Sequence, residues 1–198
     1  MFGDEVADVA IGYVICLARG LIDIHNSVAS GDWLKPNGFS LRGKTAVVVG
    51  LGNIGTATAV RLRALGMTVR GVDPTPHGGE RGRSMGIEMN PLDAAARGAN
   101  LLITACPLTD ETQGMVNSMV FNEMGNPAWL VHMSRGPVVE MDDVRWHLDT
   151  GSLTGAALDV YPEEPLPIGD PIRQHPNVIF GSHNGSHTQE ATLRASRA

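Results

Sequence analysis

The sequence is short of cysteine, of aromatic side chains and of positive charge, and it has no long apolar run. Each shortage closes off a class of protein. Two cysteines in 198 residues, Cys16 and Cys106, make no disulfide framework; both sit in apolar runs and read as buried thiols of a reducing compartment. A net charge of -6 leaves no basic face, so no nucleic-acid partner is expected. The longest apolar stretch, residues 9–18, is about half of the roughly 20 residues a membrane helix needs, so no membrane partner is expected. The opening Met1-Phe2-Gly3-Asp4-Glu5 is acidic where a secretory leader is positive, and a cytoplasmic location is expected. No metal site is expected.

What the chain has in quantity is glycine. Twenty-four glycines are dispersed through a composition that is 42% hydrophobic, which fits a packed core with many tight strand-to-helix turns. Residues 5–19 are apolar on almost every side, so as a helix they call for cover all round. Residues 26–42 read as a polar linker broken by Asn26, Ser30, Gly31, Pro36 and Gly38. From Lys44 onward, short β-rich runs without alternation recur at 45–49, 67–72, 101–105, 129–132, 155–158 and 177–180. Helical segments separate them, one running to about residue 65 and others near 91–98, 117–124 and 140–150. This alternation predicts an α/β fold with a doubly wound parallel sheet, the Rossmann architecture.

The run Gly50-Leu51-Gly52-Asn53-Ile54-Gly55 fits G-x-G-x-x-G. In a glycine-rich chain the match is weak alone, but a strand precedes it, a helix follows, and Asp73 closes the next strand about twenty residues on. Gly50 permits the tight turn, Gly52 lets backbone approach a pyrophosphate, and Gly55 lets the helix pack close. The helix N-terminus offers free N–H groups to phosphates. Asp73 would accept from ribose hydroxyls and repel a 2′-phosphate, so NAD is expected over NADP, a preference that Arg81 and Arg83 soften slightly.

Ligands of an open parallel sheet bind beyond the carboxyl ends of its strands. There the sequence places Cys106, Pro107 and Thr109; Met133, Ser134 and Arg135; Asp159 with Glu163 and Glu164; and His183. Each has an ordinary alternative. Arg135 suits a solvated turn, Asp159 a loop cap, the glutamates an exposed proline-flanked loop, and one histidine among seven near a strand end is unremarkable. Together an arginine, an acid and a histidine make a redox constellation, with arginine for a carboxylate and histidine for a proton.

Several ordered motifs resemble the D-isomer-specific 2-hydroxyacid dehydrogenase family. They are Leu41-Arg42-Gly43-Lys44-Thr45, Cys106-Pro107-Leu108-Thr109 with Thr112, His132-Met133-Ser134-Arg135-Gly136, Gly155-Ala156-Ala157-Leu158-Asp159-Val160-Tyr161 with Glu164, and Gly181-Ser182-His183. The resemblance implies a catalytic set of Arg135, Glu164 and His183. It implies hydride exchange between NAD(H) and a D-2-hydroxy or 2-keto acid: Arg135 binds the substrate carboxylate, His183 moves the proton and Glu164 holds His183. It implies cofactor contacts at Gly50, Gly52, Asn53, Ile54, Gly55, Asp73, Cys106, Thr112, Met133 and Asp159, a lining to which Pro107, Ser134 and Gly185 belong. His132 and Ser182 depart from the family's usual Asn and Pro. The same resemblance divides the chain into a linking and dimerisation helix with linker (1–42), an NAD-binding Rossmann domain (43–186) and the start of a truncated return helix (187–198). It implies a homodimer and little or no substrate domain. A competing reading is a non-enzymatic, NAD-responsive dimerisation module, like the family's corepressor members.

Overall fold

β1 (Thr45–Val49) sets the architecture. Its side chains alternate between two apolar cores: Ala46 and Val48 join one, Val47 and Val49 the other. A strand buried on both faces belongs inside a parallel sheet covered on both sides. The computed structural model, which describes residues 2–195, places β1 third in a sheet of seven strands. The others are β2 (Thr68–Val72), β3 (Glu88–Met89), β4 (Leu101–Thr104), β5 (Trp129–His132), β6 (Gly155–Leu158) and β7 (Val178–Phe180). The order is β3-β2-β1-β4-β5-β6-β7, with every pairing parallel. The chain steps outward from β1 to β3 and then returns to the far side of β1 as β4. The sheet edge beyond β1 and β4 is therefore the point where strand order reverses.

The helices are α1 (Gly3–Arg19), α2 (Leu21–Ala29), α3 (Asn53–Ala64), α4 (Pro76–Ser84), α5 (Leu92–Ala96), α6 (Ser118–Glu123), α7 (Met141–Asp149) and α8 (Gln189–Ala195). α1 and α3 cover one face of the sheet, where Val6, Ala10, Val14 and Ala18 pack with Ala59 and Leu62 over Val48, Ile103 and Val131. α5, α6 and α7 cover the other, bringing Ala96, Phe121, Val144 and Leu148 onto Leu102, Leu130 and Ala156. No helix among the described residues is long and apolar enough to cross a membrane.

Three expectations need correction. Helix α1 does not need cover all round. Its buried residues Val6, Ala7, Ala10, Val14 and Ala18 share one face, with Val6, Ala10, Val14 and Ala18 four apart, on this chain's own α3 and sheet, and Val9, Ile11, Tyr13 and Leu17 are half-buried beside it. The linker expected from residue 26 begins later, because α2 runs to Ala29. Gly20, at φ 60°, ends α1 and lets the chain turn directly into α2, a surface helix with no fully buried residue, where polar Asn26 and Ser27 cost little. The segment 76–89, left unassigned above, forms α4 and the edge strand β3. Its glycines disguise the helix, yet Thr75 caps it by accepting from Gly78 N–H at 3.1 Å, and Pro76 starts it. Within 187–198 the structure has the short helix α8; residues 196–198 lie outside the described residues.

Candidate active site

Because all the strands run the same way, their carboxyl ends bring distant side chains to one edge. After β1 the chain turns at Gly50, φ 91°, and enters α3 through Gly52 and Asn53. Gly55 is pressed onto this turn: a Cβ there would stand 1.8 Å from the Gly50 carbonyl oxygen. Gly50 in turn faces the backbone of Cys106, where a Cβ would come within 2.7 Å. These approaches exclude a side chain at Gly50 and Gly55, and no side chain caps the first turn of α3.

Asp73, at the end of β2, braces the same turn. Its Oδ2 accepts the Leu51 N–H at 2.8 Å, and its Oδ1 accepts the N–H and hydroxyl of Thr75 at 2.9 and 2.7 Å. Partial burial pushes the Asp73 carboxyl upward, but the Thr75 hydroxyl, the two N–H groups and the nearby Arg81 outweigh it and hold the group below its ordinary value. Asp73 thus remains anionic, with a lone pair left on Oδ2 for a further donor.

A cleft of about 1070 Å³ opens beside it. Gly50, Gly52, Asp73, Cys106, Pro107 and Thr112 line it. A further part of its wall, Met89, Asn90, Pro91 and Leu92, escapes the sequence reading, because it begins in the two-residue strand β3, too short to carry a hydrophobic pattern. The Cys106 thiol is pushed up by burial, which makes it a wall and not a nucleophile. Asn53, Ile54, Gly55, Met133, Ser134, Asp159 and Gly185 do not line this cleft. Ile54 packs on the core beneath α1, and Ser134 turns inward, its Oγ donating to Thr104 Oγ1 at 3.0 Å.

Past the far side of β1, the ends of β5, β6 and β7 assemble the second half of the site. His183 Nδ1 and Glu164 Oε2 are 2.7 Å apart, and the other oxygen of Glu164 accepts the Tyr161 N–H at 3.0 Å. Burial would raise the Glu164 carboxyl; the bonds from His183 and Tyr161, with the charges of His183 and Arg135, hold it below its ordinary value. Glu163, its neighbour, is exposed and takes no part in this pair. Arg135 makes no hydrogen bond to either partner; its Nη1 donates to the Ser134 carbonyl at 2.7 Å, and its charge is felt at Glu164. The turn that carries it is seated tightly on the Glu164 loop, since a Cβ on Gly136 would stand 2.0 Å from the Tyr161 carbonyl. Arg135, Glu164 and His183 are all solvent-facing, so a ligand can reach them.

Beneath that turn lies a buried polar network. His132 is fully enclosed, and burial pushes it down to about 4 against the opposing hydrogen bonds of Gly136 and Arg135, so the ring is neutral. Its Nδ1 accepts from the Thr104 hydroxyl at 2.7 Å and its Nε2–H points to the Gly136 carbonyl at 3.3 Å. The unusual histidine of the motif is therefore a brace under Arg135 and not a proton donor.

The family model described as D-isomer specific 2-hydroxyacid dehydrogenase, NAD binding domain, matches residues 11–185. Over 197 residues the chain is 32% identical to a glyoxylate reductase of Thermofilum pendens, covering 96% of this chain and 58% of that protein. It is 33% identical over 191 residues to a D-3-phosphoglycerate dehydrogenase of Bacillus subtilis, again covering 96% of this chain but 36% of the relative. Among solved structures, the apo D-lactate dehydrogenase of Escherichia coli superposes with a TM-score of 0.89 at 27% identity, over 98% of this chain and 62% of that one. In each comparison, then, this chain spans less than two thirds of the protein it resembles.

Proposed function

The chain belongs to the D-isomer-specific 2-hydroxyacid dehydrogenase family, of which it carries the NAD-binding domain, and from that premise we propose that it serves the reduction of a 2-keto acid to the D-2-hydroxy acid, and the reverse. The observation that carries this reading is the His183–Glu164 pair, at the end of the sheet away from Asp73. The residues fit a dinucleotide: the side-chain-free turn at Gly50 and Gly55 admits a pyrophosphate, and the Asp73 carboxylate suits a ribose diol. The apolar wall at Met89, Pro91 and Leu92 suits an adenine. When bound, the nicotinamide supplies or takes the hydride at substrate C2.

The chain's own groups do the rest. Glu164 occupies Nδ1 of His183, which leaves Nε2 for the substrate oxygen. In reduction Nε2 gives its proton to the ketone oxygen; in oxidation it takes the hydroxyl proton back. Arg135, a fork of donors beside that pair, binds the substrate carboxylate and turns C2 toward the hydride. Asn53, Ile54, Met133, Ser134, Asp159 and Gly185 are assigned to the cofactor's surroundings on the same basis. Residues 43–186 are read as the cofactor-binding unit, 1–42 as the linking and dimerisation segment, and 187–198 as the start of the return helix.

A homodimer is part of this reading, supported by the apolar surface of Leu21, Ile22, Val28, Trp33, Leu34 and Phe39, exposed along α2 and the segment after it, with Trp33 at 73%. Two free cysteines favour a cytoplasmic setting. The dimerisation-module alternative gains nothing from the relatives reported above, which are reductases and dehydrogenases.

The test is NADH titration by calorimetry, followed by a panel of 2-keto acids with NADH absorbance as the readout. Binding, and oxidation lost in His183→Ala, is the expected result. No NADH binding overturns the cofactor reading, and binding without oxidation of any 2-keto acid favours the module.

A further inference from the structure

Tyr13 stands on α1, and its hydroxyl reaches 146 residues along the chain to donate to Asp159 Oδ1 at 3.2 Å. Asp159 closes β6 and is only 2% exposed. Among the described residues no ion pair reaches it; its two side-chain oxygens are held by neutral donors, the Tyr13 hydroxyl on Oδ1 and the Gly185 N–H on Oδ2, each at 3.2 Å. A buried carboxylate left without such donors is costly. Burial, followed by the charge of Asp159, raises the Tyr13 phenol, so it remains a donor.

The contact is shaped from a third side. At Gly181 a Cβ would stand 2.1 Å from Asp159 Oδ1 and 2.3 Å from the Tyr13 oxygen, so the strand end makes room for this bond and for nothing larger. The main chain of Asp159 anchors the same corner, because its carbonyl accepts the His183 N–H at 2.7 Å. His183 itself sits in the left-handed region, φ 58°, a conformation its surroundings must hold in place. One hydroxyl on α1 therefore reaches the residue from which the main chain of His183 hangs.

We propose that Tyr13 is a positioning residue for the nicotinamide half of the bound cofactor, acting through Asp159. The proposal rests on the NAD reading above. Asp73, on the β2 side of the glycine turn, marks the adenosine end, while Asp159 lies across β1, β4 and β5 from it, where the other half of a dinucleotide must fall. Without the hydroxyl, Oδ1 loses its donor, the carboxylate turns toward water, and Gly185 and His183 lose their common support.

The experiment compares Tyr13→Phe with the unaltered chain, using two probes: NADH, followed by fluorescence, and ADP-ribose, which lacks the nicotinamide, followed by calorimetry. Thermal melting checks the fold, and Tyr13→Met replaces the first variant if that one does not fold. The expected result is NADH binding about tenfold weaker, the scale of one hydrogen bond to a charged group, with ADP-ribose binding unchanged. Equal weakening of both probes makes Tyr13 merely structural and overturns the proposal. So does unchanged affinity for both. An unaltered chain that binds neither probe overturns the NAD reading itself, and the proposal with it.

Discussion

His183 and Glu164 are nineteen positions apart in the chain, on loops that follow different strands, and they meet at 2.7 Å between Nδ1 and Oε2. The contact exists because β6 and β7 are adjacent and parallel, so both loops leave the sheet at the same edge. It also occupies Nδ1 of the ring with Glu164.

Glu164→Gln keeps the shape of the pair but removes its charge. Keto-acid reduction should fall at least about a hundredfold while NADH affinity holds, because the change touches proton transfer and not the cleft. Steady-state rates alongside calorimetric titration check this. An equal loss of NADH binding would place Glu164 in the cofactor site instead. Since the Glu164 carboxyl is held below its ordinary value, the pair should persist above the ordinary carboxylate range and be lost only as pH falls through that lowered value.

Asp73→Ala removes both the brace on Leu51 and the negative charge proposed to face a ribose. NADH affinity should drop about tenfold, and the discrimination against NADPH should shrink, because a carboxylate no longer opposes a 2′-phosphate. Parallel titrations of the two dinucleotides decide it; an unchanged affinity ratio is the contrary result.

His132 makes folding sensitive to acid. Its ordinary value is 6.5 and burial takes it to about 4 in the folded chain. Between those limits only the unfolded state takes up the proton, so stability declines as pH falls through this window and levels off below it. The full effect is roughly 3 kcal/mol. Denaturant melts of the chain and of His132→Asn, taken across the window, should differ in slope. Parallel curves would assign the acid sensitivity elsewhere, for instance to buried His147, whose burial also lowers it.

Trp33→Glu and Phe39→Glu place charge on the apolar segment that follows α2. Phe39 also packs edge-on against Trp129, at 5.5 Å between ring centres, so Trp33→Glu is the cleaner probe of self-association. Sedimentation should show a dimer becoming a monomer with Trp33→Glu. A monomeric parent chain would remove the assignment of this surface.

Much of the fold was legible because its signals are local. The continuous run Thr45-Ala46-Val47-Val48-Val49 declares a strand buried on both faces, and Gly50, Gly52 and Gly55 declare the turn that follows it. Local signals fail where local propensity is poor. α4 carries Gly78, Gly79 and Gly82 and is held by its Thr75 cap and by packing, while β3 is two residues long and exists only because β2 offers it an edge. α1 is hard to read for the opposite reason. Its apolar residues are numerous enough to hide the single stripe, Val6 to Ala18 in steps of four, that its neighbours cover.

The site divides along the same line. By itself the sequence determined the type of sheet, the nucleotide turn with its acid, and the identity of Arg135, Glu164 and His183 as groups near one edge. Only the tertiary structure decided which groups touch. It turned Ser134 inward, set His132 beneath the Arg135 turn, and brought Tyr13 of α1 onto Asp159. The reason is physical: hydrophobic periodicity and turn chemistry act over a few neighbouring residues, whereas a hydrogen bond depends on a fraction of an ångström between atoms that only sheet order and helix packing bring together.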